Sequence, residues 1–302
     1  MSSPRARAAV AAGAAMTGAA VAAWIGISWI FAHRLLHPAR RVAELTPGDL
    51  GMAYEDVSFR TGDGLTLRGW WIPGRGRGSV VLLPGVAADR ADMLVTRGPF
   101  LHRAGYDLLV YDHRATGASD GDLITVGTRE ADDVEAAVTL AIERSTAPVA
   151  LFGHSLGGSI AILAAARDER VAAVVDDGGF GSVEELITST GHRYTRPLPP
   201  GLLAAPVVFL VQLLGGFDLR AIRPIDAAAR LRAPLLVMAG EADRMVPVEQ
   251  QRELAEHAAG PTRYVVFEGA GHGDAHTLYR SDYEGLVLGF LDSWLLSASG
   301  ST

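Results

Sequence analysis

The stretch Gly153-His154-Ser155-Leu156-Gly157 places one serine between two glycines, each two residues away from it. A strand-like apolar run, Val149 to Phe152, precedes it, and an Ala-rich helical run from Ser159 to Arg167 follows. At such a strand-to-helix turn a sharp bend exposes the serine hydroxyl, and the glycines leave room for the neighbouring backbone. We therefore predict that Ser155 is a nucleophile at the end of a buried strand.

Composition narrows the classes of protein and of site. The chain has 302 residues, 49% hydrophobic and 20% charged, which is enough for a sizeable folded core. Its net charge of −7 argues against nucleic acid as a main partner. The absence of cysteine excludes disulfides, thiolate catalysis and cysteine metal sites, and the histidines have no spacing that favours metal ligation. We expect no metal and no cofactor.

An uncharged, largely apolar run extends from Ala8 to Ala32. As a helix it would be about 37 Å long, enough to cross a hydrocarbon core of about 30 Å. A cleaved signal peptide is the alternative, but the run is long for one and no good cleavage site follows it. We predict an uncleaved, single-pass membrane anchor at residues 1–34 and a basic linker at residues 35–52. Arginines flank the run on both sides, so the flanking charges differ little between the two orientations. We predict that the globular domain lies outside the cytoplasm.

The remainder of the chain, residues 53–302, alternates between strands and helices. Tyr54 to Phe59 and Leu65 to Ile72 flank a Gly-containing turn and predict a hairpin. Further strands are predicted at 79–83, 106–111, 149–152, 171–175, 234–239 and 263–267, with helices at 90–103, 128–144, 159–167, 248–259 and 281–296. This alternation predicts an α/β fold, with a mostly parallel sheet covered by helices on both faces and the hairpin at an antiparallel edge.

Residues 180–223 interrupt the alternation after the sixth core strand. They contain no clear strand, and Leu202 to Leu214 is apolar nearly all round, with several prolines before it. This run is too short to span a bilayer. We predict a helical cap folded over the active site, whose apolar stripe either forms the core of the cap or contacts an acyl chain or a membrane.

Two later loops carry side chains that suit a serine nucleophile. Asp243 follows the buried strand at 234–239, and His272 lies in a Gly-rich turn after the strand at 263–267. Because the carboxyl ends of parallel strands share one edge of a sheet, we expect both side chains to lie near Ser155. An imidazole can take the serine proton, and a carboxylate can orient the imidazole.

Each of these assignments has an alternative. Asp243 could merely cap a turn, and Asp176 or Asp177, after the preceding core strand, could supply the acid instead. His276 competes with His272 as the base. His154, beside the serine, is interpreted as a packing or lining residue.

With the order Ser155, Asp243 and His272, the chain resembles the α/β-hydrolase superfamily over roughly residues 53–297, and within it the bacterial serine hydrolases that carry an N-terminal membrane anchor. The loop Tyr111-Asp112-His113-Arg114-Ala115-Thr116-Gly117-Ala118-Ser119 resembles the family's Asp-x-Arg-Gly-x-Gly-x-Ser loop, with Ala115 in place of the first glycine. The resemblance implies an α/β-hydrolase fold with a cap at about residues 180–223.

A second motif of the family lies at Leu83-Pro84-Gly85-Val86, where Pro84 replaces the family's histidine. The resemblance implies that the backbone N–H groups of Val86 and Leu156 form an oxyanion hole. It also implies that Ser155 attacks a carbonyl, that His272 takes its proton and that Asp243 orients the imidazole. The expected reaction is hydrolysis of a small-molecule or lipid-like carboxylic ester through an acyl-enzyme.

Other functions remain open. A peptidase, a thioesterase or a perhydrolase would use the same triad, and fold and triad do not separate them. A catalytically silent binding module at the membrane is the candidate from another class, and Pro84 is the one feature that favours it.

Overall fold

The structure is a computed structural model that describes residues 4–195 and 201–298. Its strands are β1 (Glu55–Arg60), β2 (Thr66–Ile72), β3 (Ser79–Leu83), β4 (Asp107–Tyr111), β5 (Val149–His154), β6 (Val171–Asp177), β7 (Leu235–Gly240) and β8 (Thr262–Phe267). Its helices are α1 (Pro4–Leu36), α2 (Arg90–Ala104), α3 (Thr128–Arg144), α4 (Leu156–Ala165), α5 (Val183–Thr195), α6 (Gly201–Gly215), α7 (Pro224–Ala228), α8 (Val248–His257), α9 (Ala275–Leu278) and α10 (Arg280–Ala298).

The strands form one sheet in the order β1-β2-β4-β3-β5-β6-β7-β8. β2 pairs antiparallel with both β1 and β4, and every other neighbouring pair is parallel. The predicted parallel sheet with an antiparallel hairpin at its edge is therefore confirmed.

The two faces of the sheet carry separate cores because side chains alternate along a strand. In β3, Val81 and Leu83 point into the core that contains the buried residues of α3 and α4. Val80 and Leu82 point into the other core, which contains those of α2 and α10. All five residues of β3 are buried, as expected of a strand covered on both sides.

The elements around the predicted nucleophile differ from the sequence-based boundaries. β5 continues past Phe152, because Gly153 and His154 still pair with Asp176 and Asp177 of β6. α4 begins directly after the serine, at Leu156, three residues earlier than predicted. The turn between strand and helix therefore consists of Ser155 alone. The pattern of apolar residues in the sequence does not show the position of so short a turn.

Two helices, α5 and α6, occupy the region between β6 and β7 where the cap is predicted. They pack against each other. The prolines at positions 197, 199 and 200 lie outside the described residues. The extent of the cap, about 180–223, stays a prediction.

The apolar amino-terminal run forms α1, which ends at Leu36 rather than near Ala32. Its segment Ala11–Leu36 is long and apolar enough to cross a membrane. Ala32 and Leu36 are nevertheless fully buried against the core of the α3 and α4 face. The division into an anchor at 1–34, a linker at 35–52 and a catalytic domain at 53–302 stays a prediction.

The chain after α1 is attached to the sheet domain by hydrogen bonds. His37 Nδ1 lies 2.6 Å from the carbonyl oxygen of Asp122. Arg40 Nη1 donates to the carbonyl of Ser119 over 2.6 Å, and Nη2 donates to that of Gly121. The residues just after α1, in the stretch predicted as a basic linker, thus contact the loop that precedes α3 through these hydrogen bonds.

Candidate active site

Ser155 sits on a strained turn at the carboxyl end of β5. Its φ is 54° and its ψ is −122°, a conformation that a non-glycine residue rarely adopts. The flanking glycines make the turn possible: a Cβ on Gly153 would lie 2.1 Å from the carbonyl oxygen of Gly157, and one on Gly157 would lie 2.0 Å from that of Leu83. The predicted nucleophile elbow therefore has a steric basis on both sides of the serine.

The structure brings the three sequence-predicted side chains together. His272 Nε2 lies 2.9 Å from Ser155 Oγ, and His272 Nδ1 lies 2.7 Å from Asp243 Oδ2. Asp243 Oδ1 accepts from the N–H groups of Met245 and Val246 over 2.7 and 2.9 Å, which leaves Oδ2 free for the imidazole. The carboxylate is thus oriented by its own loop. The roles of these residues in catalysis stay a prediction.

The alternative acids point elsewhere. Asp177 pairs with the guanidinium of Arg97 and accepts from Tyr283 Oη over 2.7 Å, and all three side chains are buried. Arg97 is a main reason why the pKa of Asp177 lies well below its ordinary value in spite of burial. Asp176 is fully buried, and its Oδ1 accepts from the N–H of Gly179 over 2.8 Å. Burial raises the pKa of Asp176 to about 8.

Asp177 supports the turn that carries the serine. Its carbonyl oxygen accepts from the N–H of Ser155 and from His154 Nδ1, each over 2.9 Å. His154 in turn packs near the base, with its ring centroid 5.2 Å from that of His272. His154 therefore has the packing position that the sequence indicates.

His276, the alternative base, lies in a different environment. Its Nε2 is 3.3 Å from Glu284 Oε1, and its ring stacks on Phe100. His272 thus contacts the serine, whereas His276 contacts the α10 side of the sheet.

The predicted oxyanion-hole residues, Val86 and Leu156, line the same cavity as Ser155. Leu156 is the first residue of α4, and such a residue has no intrahelical acceptor for its N–H. The turn before Val86 is supported by His113, whose Nε2 lies 3.2 Å from the carbonyl oxygen of Pro84. Burial lowers the pKa of His113 to about 4, so the ring is neutral at pH 7 and its N–H donates to that carbonyl.

A cavity of about 270 Å³ opens beside Ser155. Its wall is almost entirely apolar and comes from separate elements: Phe31 and Leu35 of α1, Leu186 and Ile187 of α5, and Ala204 and Val207 of α6. Within residues 4–195 and 201–298, no group of three His, Asp or Glu side chains is arranged to hold a metal ion. The site therefore combines a polar hydrogen-bonded triad with an apolar chamber.

Comparison with known proteins identifies the family. The sequence pattern of the alpha/beta hydrolase family matches residues 80–287, which include Ser155, Asp243 and His272. The chain belongs to the alpha/beta hydrolase family. This hydrolase is 34% identical over 233 residues to the uncharacterized protein Rv2307c of Mycobacterium tuberculosis, covering 75% of each chain. It is 25% identical over 293 residues to the uncharacterized protein YqkD of Bacillus subtilis, covering 91% of this chain and 95% of the other.

Solved structures agree with this membership. The esterase Pf2001 of Pyrococcus furiosus superposes on the hydrolase with a TM-score of 0.75 and 27% identity, covering 86% of this chain and 98% of that one. The alpha/beta hydrolase GrgF from Penicillium superposes with a TM-score of 0.65 and 26% identity, covering 81% and 100%. The predicted α/β-hydrolase fold is confirmed, and esterases are among its structural neighbours.

Sequence reasoning missed two parts of this site. One is the Arg97–Asp177–Tyr283 group, whose members lie 80 and 106 positions apart in the chain. A carboxylate at the end of a buried strand signals that some cation must be near, but it does not identify that cation. The other is the contribution of α1 to the cavity, because an apolar run has the same appearance whether it faces lipid or a pocket.

Proposed function

We propose that this hydrolase is a serine esterase that cleaves carboxylic esters through an acyl-enzyme. The observation that carries the proposal is the continuous hydrogen-bonded path from Ser155 Oγ through both imidazole nitrogens of His272 to Asp243, located at an apolar cavity. Membership of the family and the esterase neighbours support it.

In this proposal, Ser155 Oγ attacks the ester carbonyl carbon while His272 Nε2 takes the hydroxyl proton. The N–H groups of Val86 and Leu156 stabilise the oxyanion, and loss of one such donor costs about 3 kcal/mol of barrier. The imidazolium then protonates the departing alcohol, which leaves the acyl group on the serine. A water molecule, deprotonated by His272, attacks the acyl carbon; the Oγ–acyl bond then breaks, Ser155 Oγ takes the proton back from His272, and the acid is released. Asp243 holds the imidazole in the correct tautomer throughout.

Labelling with a fluorophosphonate and hydrolysis of p-nitrophenyl butyrate test this function. Ser155→Ala is expected to abolish labelling and to lower kcat by about 10⁴-fold or more, because the attacking oxygen is removed. Ser58→Ala, an exposed serine on β1, is the matched control and should behave as the wild type. Labelling that persists in Ser155→Ala would rule out the proposed nucleophile. A panel of amide, thioester and peroxide substrates compares the ester activity with peptidase, thioesterase and perhydrolase activity.

We also propose that α1 anchors the enzyme in the cell membrane as a single span, with the catalytic domain outside the cytoplasm. The length and composition of Ala11–Leu36 support an anchor. A membrane-impermeant fluorophosphonate applied to intact cells tests the orientation. Labelling only after lysis would place the domain on the cytoplasmic side.

A further inference from the structure

α6 is an apolar helix that runs alongside the second half of α1. From Gly201 to Phe217 there is no charged residue, and Asp218 is the first one after the helix. Near its start, Trp24 Nε1 of α1 donates to the carbonyl of Leu202 over 2.9 Å. At its end, a Cβ on Gly215 would lie 3.2 Å from Leu36 Cδ2. The two helices are therefore parallel and adjacent from Trp24 to Leu36, a rise of about 18 Å.

The hydrogen bond from Trp24 supplies a donor to a backbone carbonyl that has none within its own helix. Such a carbonyl is most costly where water is absent. The carbonyl of Leu202 would normally accept from the N–H four residues later, but residue 206 is proline and has none. In hydrocarbon an unpaired carbonyl costs several kcal/mol, whereas water would satisfy it at a surface. A tryptophan N–H supplied by the neighbouring helix is the arrangement expected of helices that share an apolar environment.

Both helices expose large apolar side chains. On α6, Phe209 is 63% and Leu213 65% exposed. On α1, Trp29, Ile30 and Phe31 are 46%, 46% and 53% exposed. We call these five residues the α1–α6 surface. Soluble proteins rarely expose so many large apolar residues on two adjacent helices, whereas a membrane covers such a surface.

The α1–α6 surface borders the catalytic cavity. Phe31 belongs both to this surface and to the cavity wall, which also includes Leu35 of the same helix and Val207 of α6. The cavity of about 270 Å³ is apolar apart from Ser155 and Thr190, which suits a hydrocarbon chain with its ester group at the serine. An acyl chain lying against the α1–α6 surface thus has a short apolar route past Phe31 to Ser155.

We propose that α6 and the second half of α1 lie in the acyl region of one membrane leaflet, and that the substrate is a membrane lipid ester whose acyl chain enters the cavity past Phe31. The choice of substrate rests on the proposed esterase function. The overlap of about 18 Å matches roughly one leaflet of a hydrocarbon core about 30 Å thick. Charged residues, Arg34 of α1 and Asp218 and Arg220 after α6, come at the carboxyl ends of the two helices, where headgroups would lie.

Depth in the membrane is measured with a single thiol, because the chain contains no cysteine. The full-length Phe209→Cys variant is labelled with a fluorophore and reconstituted in phosphatidylcholine vesicles, with lipids brominated along their acyl chains as quenchers. Ile142→Cys, a 38% exposed position on α3, is the matched control. The label at 209 should be quenched strongly and the label at 142 hardly at all. A label at 209 that resembles the control would overturn the proposed insertion.

Substrate delivery is tested with Phe209→Glu, and Ile142→Glu serves as its control. Hydrolysis of dioleoylglycerol embedded in phosphatidylcholine vesicles should fall at least tenfold in Phe209→Glu only. Hydrolysis of soluble p-nitrophenyl butyrate should stay within twofold of wild type in both variants. Equal vesicle activity in wild type and Phe209→Glu would overturn the inference. If Phe209→Glu loses the butyrate activity as well, the substitution has damaged the enzyme itself. The fluorescence quenching at position 209 then decides whether α6 inserts into the membrane.

Failure of the inference and failure of the proposed function give different results. Absence of fluorophosphonate labelling in the wild type would refute the esterase function while leaving the depth measurement valid. Normal labelling combined with an unquenched probe at 209 would preserve the function and refute insertion of α6. Normal labelling and quenching without hydrolysis of any bilayer-embedded ester would refute the lipid substrate.

Discussion

Ser155 and Ala115 are two of the four non-glycine residues with a positive φ in the described part of this hydrolase, and they adopt it for different reasons. Ser155, with φ 54°, lies at the turn that presents its hydroxyl, where strain accompanies a proposed chemical role. Ala115, with φ 59°, lies in the loop where the family pattern has glycine. Its N–H still donates to the carbonyl of Asp120 over 2.9 Å. The loop has therefore kept the conformation that suits glycine although the residue has changed.

Ala115→Gly is consequently expected to stabilise the folded state by about 0.5–1 kcal/mol, because relief of left-handed strain exceeds the extra chain entropy of glycine. A higher thermal midpoint of the purified protein would confirm this. Ala136→Gly, in the middle of α3, is the control. It should lower the free energy of unfolding by about 0.5–1 kcal/mol, because glycine is unfavourable inside a helix. If both variants were destabilised alike, strain at Ala115 would not be the relevant factor.

Among the elements, α1 and α6 depend on each other. α6 contains Pro206, which removes one intrahelical donor, and α1 supplies the missing hydrogen bond through Trp24. Ser28, one turn later on α1, is fully buried and bonds back to the carbonyl of Trp24 over 2.9 Å. The pairing of the two helices thus rests on a specific polar contact as well as on apolar packing.

A double-mutant cycle measures that contact. Trp24→Phe should cost about 1–3 kcal/mol in the wild-type background, because the carbonyl of Leu202 then has no donor. In Pro206→Ala, whose new N–H reaches the same carbonyl, the Trp24→Phe change should be close to neutral. Thermal unfolding of the four proteins in detergent gives the coupling. Trp29→Phe, on the exposed side of α1, is the control, and an equal cost of Trp24→Phe in both backgrounds would contradict the assignment.

Across the molecule, one sheet separates two cores, and two buried carboxyl groups lie at the end of its strand β6. Asp176 and Asp177 end the same strand, yet the pKa of Asp177 is held low by Arg97 whereas burial raises the pKa of Asp176 to about 8. The consequences for stability have opposite signs. Asp177 contributes stability that is present above its unfolded pKa and lost in acid. Asp176 contributes stability that is complete below about pH 4 and lost as the pH rises through about 8.

Asp176 should therefore contribute a fall in stability as the pH rises from about 4 to 8, since the unfolded carboxyl of Asp176 releases its proton and the folded one retains it. Asp176→Asn removes this contribution, so the thermal midpoint of the wild type relative to that of Asp176→Asn should fall over the same range. Thermal midpoints in one detergent at matched ionic strength provide the measurement. Identical pH slopes in the two proteins would show that Asp176 is not the group responsible.

The alternation of apolar runs and turns in the sequence determined the order of strands and helices, the parallel sheet and the antiparallel edge, because burial on both faces leaves a local pattern. The Gly-x-Ser-x-Gly turn and the two later loops indicated three candidate site residues for a similar reason, since turns at strand ends are encoded locally.

Tertiary structure decided everything that depends on partners far apart in the chain. Asp243 rather than Asp177 meets His272, because Arg97, which lies 80 positions from Asp177, already occupies that carboxylate. α1 forms part of the cavity wall because Trp24 finds its acceptor 178 positions away, in α6. Packing and charge in three dimensions select such contacts. A local sequence pattern does not show which distant residue will make them.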